Sequence, residues 1–329
     1  MRLTPVARWG AGAIISRVKS LIIYNPIAGP RDVWKELKRV RRELAARGWS
    51  VEIEATHQAG EATRLAREAA RAGLGAVWAA GGDGTVNEVV NGLVGTETAL
   101  GVLPVGTGNV WARQLHLPVY TLTHPFRLRE AAVAQAGGRV RRVDVGRLND
   151  RYFLLWTGIG FDAQITSDME PRPKRVKRLG VLPYIVAGVT LAREFSGVRT
   201  HLVLDGRALR GRALLVVVSN VQMYSIFHLT PRARIDDGLL DVFVFKGLGG
   251  FLYMLRMAGQ LFVGRHLQNP RVVQRTARQV TVWTEAPMAV QADGEPLGTT
   301  PVSIQVVPRA LRVLVPPQAP STLFGPEEA

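Results

Sequence analysis

The chain has 329 residues, 47% of them hydrophobic and 21% charged, which leaves room for two domains and excludes a disordered polymer. Its 42 Lys and Arg outweigh 26 Asp and Glu, so a net charge of +16 would draw it to anionic lipid, nucleotide or nucleic acid without choosing among them. With no cysteine, disulfides and thiolate metal sites are excluded, and no run reaches the roughly twenty apolar residues of a membrane-spanning helix.

Residues 1–20 form an N-terminal extension in which Ala11 to Ile15 lie between Arg8 and Arg17. That apolar part is too short for a signal peptide, and no small-residue cleavage site follows. Leu21 to Tyr24 reads as a buried strand that opens into Asn25-Pro26-Ile27-Ala28-Gly29. Trp34 to Arg47 has Leu37, Val40 and Leu44 in helical register, closed by Gly48, and Ser50 to Ala55 alternates as a strand leading to Thr56. Ala76 to Ala80 is a further strand. It stops at Gly81-Gly82-Asp83-Gly84-Thr85, after which Val86, Val89, Val90 and Leu93 have helical spacing, with Asn87 and Glu88 between them.

A strand, a glycine turn and a helix start let backbone approach a bulky anion, and the free N–H groups of the helix start favour negative charge there. An Asp inside such a phosphate cradle would repel the anion, so Asp83 makes most sense with a divalent cation, Mg²⁺ with bound waters, between them. Ala99 to Leu103 then runs into Pro104-Val105-Gly106-Thr107-Gly108-Asn109, whose glycines permit close approach and whose hydroxyl and amide bind phosphate or ribose without adding charge. These βα units carry their polar turns on one sheet edge and define one crevice. A helix over His124 to Gln135 ends at Gly137-Gly138.

From Arg139 the pattern changes to short strands at close spacing: Arg141 to Leu148, Arg151 to Thr157, Arg199 to Leu204, Ala213 to Ser219, Leu239 to Phe245 and Gln279 to Thr284. Strands without helices between them indicate an antiparallel sheet or sandwich, hence a second domain. Asp162, in Gly158-Ile159-Gly160-Phe161-Asp162, either joins Asp144 in an acidic network or caps a helix. The basic run Pro171 to Arg178, followed by apolar Leu179 to Leu191, has the form of a membrane-surface element as well as of a solvated loop. Asp236-Asp237-Gly238 and Asp293-Gly294-Glu295 both suit tight turns. A carboxylate of the second turn would also serve phosphate transfer to an alcohol, by orienting the hydroxyl and taking its proton.

GGDGTVNEVVNG resembles the nucleotide loop of the diacylglycerol kinase catalytic family, which includes bacterial lipid kinases and sphingosine kinases. Five ordered motif groups carry the resemblance from about Leu21 to Val315. It implies an α/β N-terminal domain of the doubly wound, NAD-kinase and phosphofructokinase-like kind over residues 21–138. A mainly antiparallel β-sandwich for the lipid substrate follows over 139–310, the strand 311–315 returns to the first domain, and 316–329 is a tail. It implies ATP as co-substrate across Asn25, Pro26, Gly29, Thr56, Gly81, Gly82, Asp83, Gly84, Thr85, Val86, Asn87, Glu88, Gly106, Thr107 and Asn109. It also implies a structural Mg²⁺ on the Asp237 carboxylate and the carbonyls of Arg234 and Leu239, and a catalytic base at Glu295 or Asp293, with Glu295 the first choice and Asp83 serving the metal. Gln222 to His228 is bulkier than the glycine-rich segment of many relatives, so the lipid site would differ in shape.

The expected activity is ATP- and Mg²⁺-dependent transfer of phosphate to a lipid hydroxyl, diacylglycerol or sphingoid-like. The expected partners are the lipid and an anionic membrane surface, with the protein cytoplasmic and peripherally attached; a homodimer stays open. An NAD kinase is disfavoured by PVGTGN and DDGLLD. A non-catalytic nucleotide-binding regulator is the alternative from another class, and no RNA-binding aromatic signature favours nucleic acid.

Overall fold

The computed structural model describes residues 18–29, 32–119, 127–169, 190–191, 195–224 and 227–325. The basic run Pro171 to Arg178 and the first seventeen residues lie outside them, as does most of the apolar stretch that begins at Leu179.

Strands β1 (Val18–Tyr24), β2 (Trp49–Ala55), β3 (Ala76–Gly81) and β4 (Ala99–Pro104) lie side by side in the order β2-β1-β3-β4, all parallel. Strand residues alternate between faces, and the sequence supplies apolar side chains to both. Ile22, Tyr24, Trp78 and Ala80 pack with Leu37, Val40 and Leu44 of α1 (Trp34–Ala45). Leu21, Ile23, Val77 and Ala79 pack with α2 (Glu61–Arg71) and α3 (Asp83–Leu93) on the opposite face. Two glycines make that packing possible. A Cβ on Gly101 would lie 2.4 Å from the Trp78 ring, and one on Gly92 of α3 would lie 2.6 Å from the Thr63 carbonyl of α2.

The strand order reverses between β1 and β3, so the carboxyl ends of those two strands bound a crevice, the place where doubly wound sheets bind ligands. The second loop is followed by a short helix that the sequence pattern does not signal, α4 (Val110–Gln114), and α5 (Leu128–Ala136) completes this half.

The same sheet continues into the second half without a break. β5 (Arg139–Leu148) pairs antiparallel with the long β17 (Val302–Val315), and Val313 of β17 also pairs with Leu100 of β4. Beyond β17 the strands are antiparallel: β14 (Gln279–Thr284), β8 (Val198–Leu204), β9 (Arg207–Ser219), β7 (Trp156–Gly160), β15 (Ala289–Ala292) and β16 (Glu295–Thr299). β6 (Arg151–Phe153) pairs with β5, while β12 (Leu240–Lys246) joins β9 to β13 (Val272–Ala277). Two further helices, α6 (Phe161–Met169) and α7 (Phe251–Phe262), and a small hairpin of β10 (Met223–Tyr224) and β11 (Phe227–His228) lie off the sheet. The architecture is thus the α/β domain and antiparallel β-rich domain expected from the sequence.

Candidate active site

Three loops at the carboxyl edge of the parallel strands are packed backbone to backbone. Val105 and Gly106 both donate their N–H to the Gly81 carbonyl, at 3.0 and 3.2 Å. A Cβ on Gly106 would lie 2.6 Å from the Gly82 Cα, and one on Gly29, at φ +72°, would lie 2.2 Å from the Val105 carbonyl. Asn25 fixes the first turn. Its Oδ1 accepts from Ile27 N at 3.0 Å and its Nδ2 donates to Thr85 Oγ1 at 3.2 Å, so Pro26 and Gly29 are carried to the start of α3. Thr56 N donates to the Tyr24 carbonyl at 2.8 Å and places Thr56 beside that turn.

Gly82 caps α3 with extended backbone and no side-chain bond, which leaves the N–H groups of Asp83, Gly84 and Thr85 without an intrahelical acceptor. A phosphate satisfies such a first turn. Gly81 is required because a Cβ there would fall 2.3 Å from Thr85 Oγ1. Asp83 Oδ1 accepts from Trp111 N at 3.4 Å and its Oδ2 faces Gly108, so the carboxylate ties the first glycine loop to the start of α4. Burial pushes this carboxyl up to about 6, against the amides of Trp111, Val110 and Asn109 and the nearby Arg113 charge. Asn109, at φ 50°, closes its own loop through Nδ2 to the Gly106 carbonyl at 2.6 Å, and Thr107 is exposed at the rim.

The end of the motif is spent on packing. Val86 is buried, and Glu88 Oε2 accepts from Ala62 N at 3.1 Å, capping α2, whose own N-cap is Gly60. Asn87 is a hub between the two halves. Its Nδ2 donates to Asp293 Oδ2 at 2.7 Å and to the Tyr152 carbonyl at 3.0 Å, while its Oδ1 accepts from Arg151 at 3.1 Å.

Asp293 and Gly294 have φ of 50° and 85°, the left-handed pair that a two-residue hairpin between β15 and β16 requires. The turn and the site therefore use the same residues. Asp293 points inward and accepts from Leu154 N (2.8 Å), Leu155 N (2.9 Å), Trp156 N (3.1 Å) and Asn87. Burial pushes its carboxyl up to about 6, against the pull of those four donors. Since the ordinary value is 3.8, the fold holds this proton more tightly than the unfolded chain does. The group's contribution to stability is complete below about pH 4 and is lost as pH rises through 6.

Glu295 stands differently. Its Oε2 accepts from Arg151 Nη2 at 2.5 Å, the guanidinium that also holds Asn87, and its Oε1 is 3.3 Å from where a Gly84 Cβ would be. The side chain is about a third exposed, at 37%. Of the two carboxylates, Asp293 is saturated by donors and Glu295 turns an oxygen to the first turn of α3.

A third carboxylate adjoins them. Asp162 Oδ2 accepts from Tyr224 Oη at 2.5 Å and from Gln291 Nε2 at 2.9 Å, and Gln291 Oε1 accepts from Gly294 N at 2.9 Å. Asp162 Oδ1 and the Trp156 indole Nε1 are buried without a hydrogen-bond partner among the described residues. Burial holds Asp162 above the ordinary carboxylate range and Tyr224 well above the ordinary phenol value.

Asp144 lies elsewhere. Its oxygens accept from Gly238 N (2.6 Å) and Arg309 N (2.7 Å), binding the Asp237-Gly238 turn to β17. Asp237 Oδ1 accepts from Leu239 N at 3.1 Å, and Arg234 lies close enough to lower the carboxyl that burial raises. Sequence reasoning missed Arg151 and Gln291, for which neither spacing nor motif gives a signal, and singled out Tyr224 only as part of the bulky segment Gln222 to His228.

The donor count makes one prediction. Asp293→Ala strands four donors, three of them backbone, and should cost about 3 kcal/mol or more of stability, read as a lower urea midpoint at pH 5, where the group's contribution is still present. A midpoint equal to that of the unchanged chain would show that those donors find other partners.

Comparison with known proteins agrees with the two-part architecture. Residues 19–148 match the diacylglycerol kinase catalytic domain, and residues 157–315 match the YegS C-terminal NAD kinase beta sandwich-like domain. A diacylglycerol kinase of Bacillus subtilis is 31% identical over 301 residues, covering 91% of this chain and 96% of its own. One from Staphylococcus aureus is 28% identical over 306 residues, covering 91% and 93%. Two solved structures from Bacillus anthracis, described under diacylglycerol kinase, align with TM-scores of 0.75 and 0.68 at 27% and 25% identity, each over 92% of this chain and 98% of its own.

Proposed function

Because this chain belongs to the diacylglycerol kinase catalytic family, we propose that it transfers the γ-phosphate of ATP to the hydroxyl of a membrane lipid, diacylglycerol or a sphingoid-like acceptor. The observation that carries this reading is the position of Glu295. Its Oε1 faces the first turn of α3 from the other half of the molecule, so a proton acceptor and a phosphate cradle look across one crevice.

The nucleotide's phosphates fit the first-turn N–H groups at Asp83 to Thr85, and its remainder lies along the Asn25 turn, Thr56 and the rim at Thr107. The lipid hydroxyl approaches from the opposite side, donates a hydrogen bond to Glu295 Oε1 and gives up its proton there as its oxygen bonds the γ-phosphorus, while the bond from that phosphorus to the β,γ-bridging oxygen breaks and ADP leaves. Loose phosphoryl transfer needs little base strength but much positioning, and Arg151, shared between Glu295 and Asn87, holds the carboxylate in place.

Mg²⁺ is the expected metal, and one carboxylate with waters and phosphate oxygens suits it. Asp83 fits that description, as a single carboxylate in the first turn of α3, beside the N–H groups that face the phosphates. When bound, Mg²⁺ would neutralise charge on the transferring phosphate. A second, structural ion fits the turn at Asp237 with the carbonyls of Arg234 and Leu239, again as a hard, largely hydrated site.

No helix among the described residues is long and apolar enough to cross a membrane, and we propose attachment to the surface of an anionic bilayer from the cytoplasm. A panel assay tests the function. With labelled ATP, label should enter diacylglycerol or a sphingoid base in mixed micelles and not NAD. Label in NAD alone, or no ATP consumption with any acceptor, would refute it.

A further inference from the structure

Helix α7 is apolar on the wrong side for a globular protein. Its inner edge is tied down: Met257 is buried, the Tyr253 hydroxyl donates to the Lys246 carbonyl at 2.6 Å, and Arg271 stacks over the Tyr253 ring at 5.0 Å. Its outer edge carries Leu252, Leu255, Phe262 and Val263, which are 79%, 55%, 75% and 63% exposed and recur at helical spacing on one stripe. Leu248 before the helix and Leu267 after it are exposed as well, so this one segment holds six of the nine large apolar side chains exposed among the described residues. Scattered singly such residues mean little, but a contiguous patch marks a docking surface.

We propose that α7 is an interfacial anchor that lies in the plane of an anionic lipid surface, its outer stripe set among the acyl chains. This rests on the lipid kinase reading for its purpose and on two observations for its partner. The first is charge. From Val242 to Thr284 the chain carries six Lys or Arg, Arg256 and Arg265 among them, and no Asp or Glu. An apolar stripe in a segment whose only Lys, Arg, Asp or Glu side chains are cations matches anionic headgroups over hydrocarbon. A second copy of the same face would set those cations against each other, because a two-fold contact presents the same patch twice.

The second observation is continuity with the crevice. The Phe262 ring lies 6.4 Å from the Phe227 ring, edge to face, and Phe227 pairs with Tyr224 in the β10–β11 hairpin. The Tyr224 ring lies 4.8 Å from Trp156, and the Tyr224 hydroxyl bonds Asp162. Trp156 N in turn bonds Asp293. A lipid whose tails lie beside α7 thus has a bulky aromatic hairpin between its tails and the carboxylates of the site.

The absence of cysteine allows a clean test, since a single Leu252→Cys can be labelled with an environment-sensitive fluorophore, with Glu285→Cys as the control. Vesicles of phosphatidylglycerol and phosphatidylcholine without any acceptor lipid should blue-shift the label at 252 and expose it to a lipid-borne quencher, and should leave the label at 285 unchanged. The triple variant Leu252→Glu, Leu255→Glu and Phe262→Glu should bind these vesicles at least tenfold more weakly with an unaltered circular dichroism spectrum. A label at 252 that is unmoved by vesicles overturns the proposal. So does one already in apolar surroundings without vesicles, which would show that the chain's own undescribed residues cover the stripe, or a dimer of the unchanged protein that the triple variant abolishes. The readout needs no turnover, so vesicle binding without lipid phosphorylation would leave the anchor standing and refute the kinase reading, and the converse would do the reverse.

Discussion

Glu295→Gln should lower lipid phosphorylation by about a hundred- to ten-thousand-fold, the range for loss of a positioned general base, while ATP binding measured by calorimetry stays within about twofold. Glutamine keeps the size, the polarity and an oxygen for Arg151, so the fold and the Asn87 hub should survive. What it lacks is the capacity to take the acceptor's proton. The loss should fall on turnover more than on the Michaelis constant for ATP, because the interaction is made with the lipid hydroxyl in the transition state. A variant that keeps more than about half of the activity would remove Glu295 from the chemistry. The pH profile is not the discriminating measurement here. Asp83 and Asp293 are both pushed by burial to about 6, so an acidic limb near that pH should persist after Glu295 is neutralised.

Asp83→Asn should reduce turnover by a hundredfold or more in limiting Mg²⁺, an order-of-magnitude expectation from the electrostatic demand of phosphoryl transfer. Its structural consequence should be small, since asparagine retains an oxygen for Trp111 N and removes a buried charge. Stability at pH 7 should hold or rise, because a carboxyl raised from 3.8 to about 6 contributes its stability at low pH and loses it as pH passes through 6. Thermal unfolding at pH 5 and pH 8 checks this, as the variant should narrow the difference between the two. Near-normal turnover of Asp83→Asn at every Mg²⁺ concentration would show that Asp83 only fastens α4 to the glycine loop.

The crevice lined by the glycine loops was legible in the sequence because its demands are local. Strands ending in glycine turns need only adjacent residues, and Gly29 and Gly106 are where backbone must touch backbone. The antiparallel half was legible in outline from strand spacing, although β13, β15 and β16 gave no such signal and Arg151 to Thr157 divides into β6 and the start of β7. Three things were not. The division of labour between Asp293 and Glu295 depends on which way a two-residue turn points them, and on the N–H groups of Leu154 to Trp156, more than a hundred residues away in the chain. Arg151 belongs to no motif and acquires a role only when β6 packs against α3. Helix α7 has the apolar periodicity of a core helix, and nothing in that periodicity reveals that the structure turns part of it outward. Glu88 is a subtler case. It stands inside the nucleotide motif, yet its carboxylate caps α2, so motif membership alone does not place a residue against the ligand.

The central claim is that both halves of the crevice act on one phosphate, and product stoichiometry tests it most directly. Incubated with ATP, Mg²⁺ and diacylglycerol in mixed micelles containing anionic phospholipid, the protein should form ADP and phosphorylated lipid in equal amounts, and Glu295→Gln should form neither at a comparable rate. ADP released without lipid phosphate, or equal lipid phosphorylation by Glu295→Gln, would contradict it.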